Sequence, residues 1–196
     1  AFEVLSNEQK RKQYDDCLRN KRNATTENKQ RAEHNQSQKD DTKVKKEIKF
    51  LCDNGIKDLK FVDRSFNGYK GRSEELFRFL SEETGETSFH CEIAPDLLSE
   101  KMLEIIKNAP SGKFRFEAGI QSTNENTLRA VKRKCDNKKA FENIKKLISF
   151  KNCSVHTDII AGLPLEDKES FKKSFDEVYS LLADQMELGF LKVLKG

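Results

Sequence analysis

Seven residues of this 196-residue chain could meet a polar small molecule. Asp63 and Asn67 follow the apolar run Lys57–Val62, and Glu92 stands near the end of the run Ser88–Ile93. Gln121 and Ser122 follow Lys113–Ile120, while Asp158 lies inside Ser154–Ala161, which runs into Gly162-Leu163-Pro164. Carboxylates, an amide and a hydroxyl in such places suit the hydroxyl and amine groups of a ribose or an amino acid. Each has a competing duty as a cap of the following helix, a duty that claims Asn67 and Ser122 as strongly as binding does. Glu92 and Asp158 sit among strand residues, where a carboxylate needs a partner, and so point more firmly to a ligand. No Ser–His–Asp or paired-Cys nucleophile stands out, so no residue is assigned a catalytic role.

The elements that must position these groups are legible in the hydrophobic spacing. Val44, Ile48, Leu51 and Cys52 recur at helical intervals, and Asn54-Gly55 supplies a stop. Short strands over 57–62, 88–93, 113–120, 154–161 and 187–194 then alternate with helices over 73–83, 95–108, 124–133, 138–150 and 166–182. Alternation with connections of this length predicts parallel pairing through right-handed crossovers. In such architectures ligands gather at the carboxyl ends of strands, beside helix N-termini with unpaired N–H groups. Five strands are compatible with an open sheet or with an arc of barrel.

Composition divides the chain. Residues 1–50 hold 13 Lys and Arg against 9 Asp and Glu, whereas residues 51–196 hold 24 of each, so the net charge of +4 resides in the leader. From Arg19 to Lys43 the apolar residues are Ala24 and Ala32 alone, too few to offset the entropy of ordering, which predicts a disordered or solvated helical linker. No apolar stretch approaches the roughly 20 residues of a membrane span. Cys17, Cys52, Cys91, Cys135 and Cys153 are odd in number and widely spaced, a pattern of reduced thiols in an intracellular, cytoplasmic protein rather than of a metal site or disulfide framework.

The runs LKFVDRSFN, FHCEIAPDLL, FRFEAGIQSTNENTLRAVKRK, HTDIIAGLPLED and LGFLKVLKG, taken in order, resemble the radical S-adenosylmethionine (SAM) core, in particular the subgroup whose members carry an N-terminal cobalamin-binding domain. The resemblance covers about residues 48–196 and implies an α/β fold, a partial (β/α) TIM-like barrel of about five parallel strands behind a short helical or disordered leader. It implies further that Glu92 holds the SAM ribose, that Gln121 and Asp158 reach SAM, and that the backbone at Gly162 lies close to adenine. Asp63 and Asn67 fall where the family contacts the methionine end. The family builds a [4Fe–4S] cluster on CxxxCxxC. That motif is absent here, so the expectation is a truncated barrel, without cluster ligands and inactive as given.

The opening AFEVLSNEQKRKQYD resembles the end of a J-domain, with Ser6 and Gln9 at capping-box spacing. That likeness implies a heat-shock chaperone as partner, although the His-Pro-Asp tripeptide such a partner requires is absent. The expected organisation is a J-domain remnant over 1–18, a polar linker over 19–43 and the partial barrel over 44–196. Two unrelated parts in one chain would reflect a fusion or a gene-model join. The basic runs Lys43–Lys46 and Arg129–Lys134 lack aromatic interleaving, which predicts solvated charge rather than nucleic-acid contact, the second as the solvent side and end of a helix. His34, His90 and His156 differ too much in setting to propose a metal site; the latter two are strand residues.

Overall fold

A computed structural model of the protein describes residues 41–192. The J-domain and linker expectations therefore lie outside the described residues, apart from the last three positions of the linker. A helix, α1, covers 41–53 and ends as the sequence anticipates, with Gly55 at φ +84 after Asn54.

Within the compact unit Ile48–Gly196, the described residues form a five-stranded parallel sheet in the order β1-β2-β3-β4-β5. The strands are β1 (Asp58–Lys60), β2 (Ser88–Ile93), β3 (Phe114–Gln121), β4 (Ser154–Ala161) and β5 (Gln185–Phe190). Sequential neighbours in sequence are neighbours in the sheet, each pair joined by a helical crossover, and the sheet curls into a partial (β/α) barrel. The crossovers carry α2 (Lys70–Glu82), α3 (Glu100–Lys107), α4 (Glu125–Ala130), α5 (Asn137–Phe150) and α6 (Lys168–Tyr179).

Helix starts differ from the hydrophobic spacing where a side chain takes over the cap. The expected helix 95–108 is broken: Pro95–Leu97 forms a 3-10 turn, and Ser99, extended at ψ 158, accepts the Met102 N–H to begin α3. Asn124, Asp136 and Asp167 cap α4, α5 and α6 in the same way. The last helix consequently begins at Lys168 rather than at Glu166. Strands β2 and β4 have the expected bounds, because both are long alternating runs between clear turns.

Alternation decides the two faces of the sheet. Phe89, Cys91, Ile93, Phe114, Phe116, Ala118 and Ile120 point toward the helices and are buried. Phe77 of α2, fully buried, packs its ring edge-on against Phe114 and Phe116, with centroids at 5.6 and 6.0 Å, and also meets Phe66. The opposite, concave face carries the intervening residues, among them His90, Glu92, Arg115, Glu117, His156 and Asp158.

Candidate functional site

Register places the polar residues in rows across the concave face. Lys60 pairs with His90, His90 with Arg115, Glu92 with Glu117, Glu117 with His156, and Asp158 with Glu187. Glu117 is the hub of the lower rows: its Oε2 lies 3.1 Å from His90 Nε2 and 3.3 Å from Lys60 Nζ, which in turn stands 3.9 Å from Glu92. The His90 and His156 rings meet edge to face with centroids 6.3 Å apart. Burial, with His90 and Arg115 nearby, holds His156 below the usual imidazole range. Both histidines are strand residues, as the sequence suggests, and the one strand between them supplies Glu117.

The upper row closes around Asp158. Between Gly119 and Gln121 the register of β3 against β4 shifts by one residue, and Gln121 adopts φ 71. This bulge turns the Gln121 amide onto the Asp158 carboxylate, to which its Nε2 donates. Burial first, then the Glu117 charge, push the Asp158 carboxyl up to about 6, against the lowering influence of Arg133 and of the Gln121 donor. A small cavity of about 90 Å³ opens here, lined by Glu92, Glu117, Gln121, Arg133 and Asp158, with Arg64 and Ser65 from the loop after β1.

Arg133 corrects the reading of its segment as the solvent side and end of a helix. Helix α4 stops at Ala130, and the chain turns through Lys132 at φ 55, sending the Arg133 guanidinium inward. Its Nη2 donates to the Gly119 carbonyl at 2.6 Å, while its buried Nε has no partner. The buried Asp158 Oδ1 is likewise unpartnered. Two residues that line one cavity thus each hold a buried polar atom without a partner, one a donor and one an acceptor.

Of the residues singled out from sequence, Glu92, Gln121 and Asp158 line this one cavity. Asn67 and Ser122 do not, because their side chains hold the chain together. Asn67, buried, donates Nδ2–H to the Ala94 carbonyl at 2.7 Å and accepts the Ala94 N–H at 2.8 Å. Ser122, also buried, donates to Glu166 and accepts the Asn124 N–H at 3.0 Å. Both side chains fasten the chain to itself, but neither caps the following helix, the alternative at the sequence level: Tyr69 stands at the N-cap of α2 without a side-chain bond, and Asn124 caps α4. Asp63 is exposed on the loop after β1, and Gly162 takes φ +89 beyond β4 with Leu191 3.8 Å from where a Cβ would stand. Glu117 and Arg133 were missed. Glu117 occupies the same strand face as Gln121, a period-two relation the sequence does display; the inward turn of Arg133 leaves no such trace.

The described cysteines do not form a ligand set. Burial pushes Cys135 and Cys153 up to about 11 and Cys91 higher still, so these sulfurs stay protonated. Among the described residues, no cluster of three or more His, Cys, Asp or Glu is arranged to hold a metal ion.

The family model described as the radical SAM superfamily matches residues 17–178. A curated relative, tRNA-2-methylthio-N(6)-dimethylallyladenosine synthase of Buchnera aphidicola subsp. Schizaphis graminum, is 25% identical over 155 residues, covering 74% of this chain and 35% of that protein. The ribosomal protein uS12 methylthiotransferase RimO of Clostridioides difficile is 26% identical over 149 residues, covering 72% and 34%. The chain thus spans about a third of the length of these relatives. Among solved structures, the radical SAM methyltransferase TsrM of Kitasatospora setae, with cobalamin and a [4Fe-4S] cluster bound, superposes with TM-score 0.62 at 16% identity, over 74% of this chain and 29% of that one. Coproporphyrinogen III oxidase (HemN) of Escherichia coli superposes with TM-score 0.53 at 23% identity, over 64% and 29%. Both likenesses concern the fold.

Proposed function

The chain belongs to the radical SAM superfamily, and from that premise we propose that its concave face binds SAM around Glu92, Gln121 and Asp158, as part of a methylthiotransferase-type enzyme. The observation that carries this reading is that Asp158 and Arg133, which line one cavity between three strands, each hold a buried polar atom with no partner, Oδ1 and Nε. SAM offers complements to both: hydroxyls and an ammonium for a carboxylate, a carboxylate for a guanidinium. When bound, SAM supplies a sulfonium whose methyl and 5′-adenosyl carbons are its reactive groups.

The residues then divide the work. Glu92 and Asp158 accept hydrogen bonds from the nucleoside and amine groups, and Gln121 fixes the orientation of the Asp158 carboxylate. Arg133 anchors an anionic group. Asp63, on the loop at the same end of the sheet, and the open backbone at Gly162 extend the rim toward the methionine and adenine ends. Asn67 and Ser122 support that rim from behind by tying down Ala94 and Asn124.

The cluster is a different matter. The described cysteines are scattered, and burial raises the thiols of Cys91, Cys135 and Cys153 above their ordinary range. The sequence contains no CxxxCxxC, so this chain is assigned binding and orientation of SAM, and no step is derived through iron. The class rests on curated relatives named for two different targets, tRNA and ribosomal protein uS12. No observation in the described residues favours the chaperone-partner reading.

Titration calorimetry with SAM tests the proposal. Single-site binding, weakened at least about tenfold by Asp158→Ala or Glu92→Ala in chains that melt normally, is expected, as a lost charged hydrogen bond contributes about 1.5–3 kcal/mol. Absence of heat up to millimolar SAM would refute it. Incubation of this chain with iron, sulfide, reductant and SAM is expected to release no 5′-deoxyadenosine.

A further inference from the structure

Outside the concave face, a groove of about 940 Å³ opens where the turn after α4 meets the start of α5 and the 3-10 turn at Pro95–Leu97. Five cations line it: Arg129, Lys132, Arg133, Lys134 and Lys138. Its three carboxylates are Asp96, Glu125 and Asp136. Two of these are engaged by the fold. Asp136 caps α5 by accepting the Lys139 N–H at 3.1 Å, and Asp96 accepts the Asp136 N–H at 3.3 Å and the Cys135 thiol. By contrast Arg129, Lys132, Lys134 and Lys138 are exposed, and no ion pair holds any of them among the described residues. The floor between them includes Leu97, half exposed, and Leu128.

We propose that this groove binds the phosphodiester backbone of a single nucleic-acid strand, with Arg129, Lys132, Lys134 and Lys138 on successive phosphates. Three features select this occupant. Four of the five lining charges without a hydrogen bond or ion pair among the described residues, all but Glu125, are cationic and stand around one open groove, which matches a polymer with repeated anions. One of these four cations, Arg129, is a guanidinium fork, suited to phosphate oxygens. The half-exposed apolar floor can take the flat face of an unstacked base. Sequence reading treated the run 129–134 as dispersed solvated charge; the turn at Lys132 instead gathers it around one opening with Lys138.

The groove also has a direction. Arg133 lines both it and the cavity at Asp158, so a strand laid along the groove has one end beside the site assigned to SAM. That route rests on the SAM reading; binding in the groove rests on its own charges.

The test uses the full chain and a labelled ten-nucleotide single strand, as RNA and as DNA of the same sequence, followed by fluorescence anisotropy between 50 and 200 mM salt. Lys132→Glu/Lys134→Glu is compared with Lys145→Glu/Lys172→Glu, which makes the same charge change at exposed positions of α5 and α6. The groove variant is expected to lose affinity about tenfold or more. Its salt dependence should flatten by about one to two units of log–log slope, since each neutralised phosphate of a single strand contributes about 0.7. The control variant is expected to lose less than about threefold. RNA and DNA binding equally assigns the contact to the shared backbone, and a preference for RNA adds a contact to the 2′-hydroxyl; both support the groove. Equal losses in the two variants, no loss in either, or equally tight binding of a polyglutamate of the same length would overturn it. SAM binding, measured in parallel, is expected to be unchanged in the groove variant, so failure of one reading is visible separately from failure of the other.

Discussion

Gln121 and Asp158 come from different strands and meet because β3 slips by one residue against β4 between Gly119 and Gln121. An unbroken ladder would set Gln121 opposite Ile160 rather than Ile159. The bulge, with Gln121 at φ 71, instead aims an amide donor at a carboxylate that burial has made costly to ionise. One oxygen of Asp158 is thereby satisfied, and the other has no partner among the described residues.

That arrangement fixes the pH behaviour. The Asp158 carboxyl holds its proton up to about 6 in the folded chain, against 3.8 for an ordinary aspartate. Between those two values the folded state binds more protons than the unfolded state, so stability falls as pH rises through the window. Above about pH 6 the cost of the buried charge is fully present. Asp158→Asn removes that cost. The variant is expected to be more stable than the parent at pH 7 by about 2–3 kcal/mol, with the difference vanishing near pH 4. Urea midpoints at the two pH values check this. Gln121→Ala, by deleting a donor that favours the charged form, should move the Asp158 carboxyl further upward in a carbon NMR titration.

Asn67 stands close to the rim in sequence yet works as a fastener. Its amide both donates to and accepts from the backbone of Ala94, which joins the loop after β1 to the end of β2. Asn67→Ala leaves two part-buried backbone groups of Ala94 without their partner and should destabilise the chain by about 1–3 kcal/mol. A direct ligand contact would instead show as weakened SAM binding with an unchanged melt. The expected outcome is a lowered melting midpoint, with SAM affinity retained at temperatures where the variant is folded.

The convex side predicts a separate loss. Phe77 is fully buried among Phe66, Phe114 and Phe116, so Phe77→Ala should cost about 3–5 kcal/mol. Because these rings pack beneath β3, hydrogen exchange of Phe114–Gln121 amides is expected to accelerate more than that of β5.

These contrasts show which parts of the molecule local sequence could disclose. Strands β2 and β4 alternate between buried and polar residues over six and eight positions, a signal strong enough to give both bounds and the placement of Glu92 and Asp158 on the polar face. The start of α3 was not legible, since Pro95 and the apolar residues after it continue a helical pattern that the extended Ser99 interrupts. Arg133 was misread for a similar reason. Its inward course depends on a left-handed residue at Lys132 and on the Gly119 carbonyl, a partner fourteen positions away. Nor did spacing reveal the two histidines as neighbours, because that requires strand order, a property of the folded sheet.

Gly119 brings the argument to one atom. It lies on β3 opposite Asp158, and a Cβ placed there would stand 3.2 Å from Gln121 Nε2, 3.3 Å from Arg133 Nη2 and 3.4 Å from Asp158 Oδ1. All three neighbours are side-chain tips, and the backbone of Gly119 needs no positive φ, so Gly119→Ala can be absorbed by small shifts without unfolding the strand. Those shifts must separate the groups that define the cavity, since each already sits at or inside close contact. The expected result is a melting midpoint within about 2 °C of the parent, consistent with a change under roughly 0.5 kcal/mol, together with at least about a tenfold loss of SAM affinity. A variant that bound SAM as tightly as the parent would show that the three tips do not hold the ligand, and the site would have to be sought lower on the face, around Glu117 and the paired histidines.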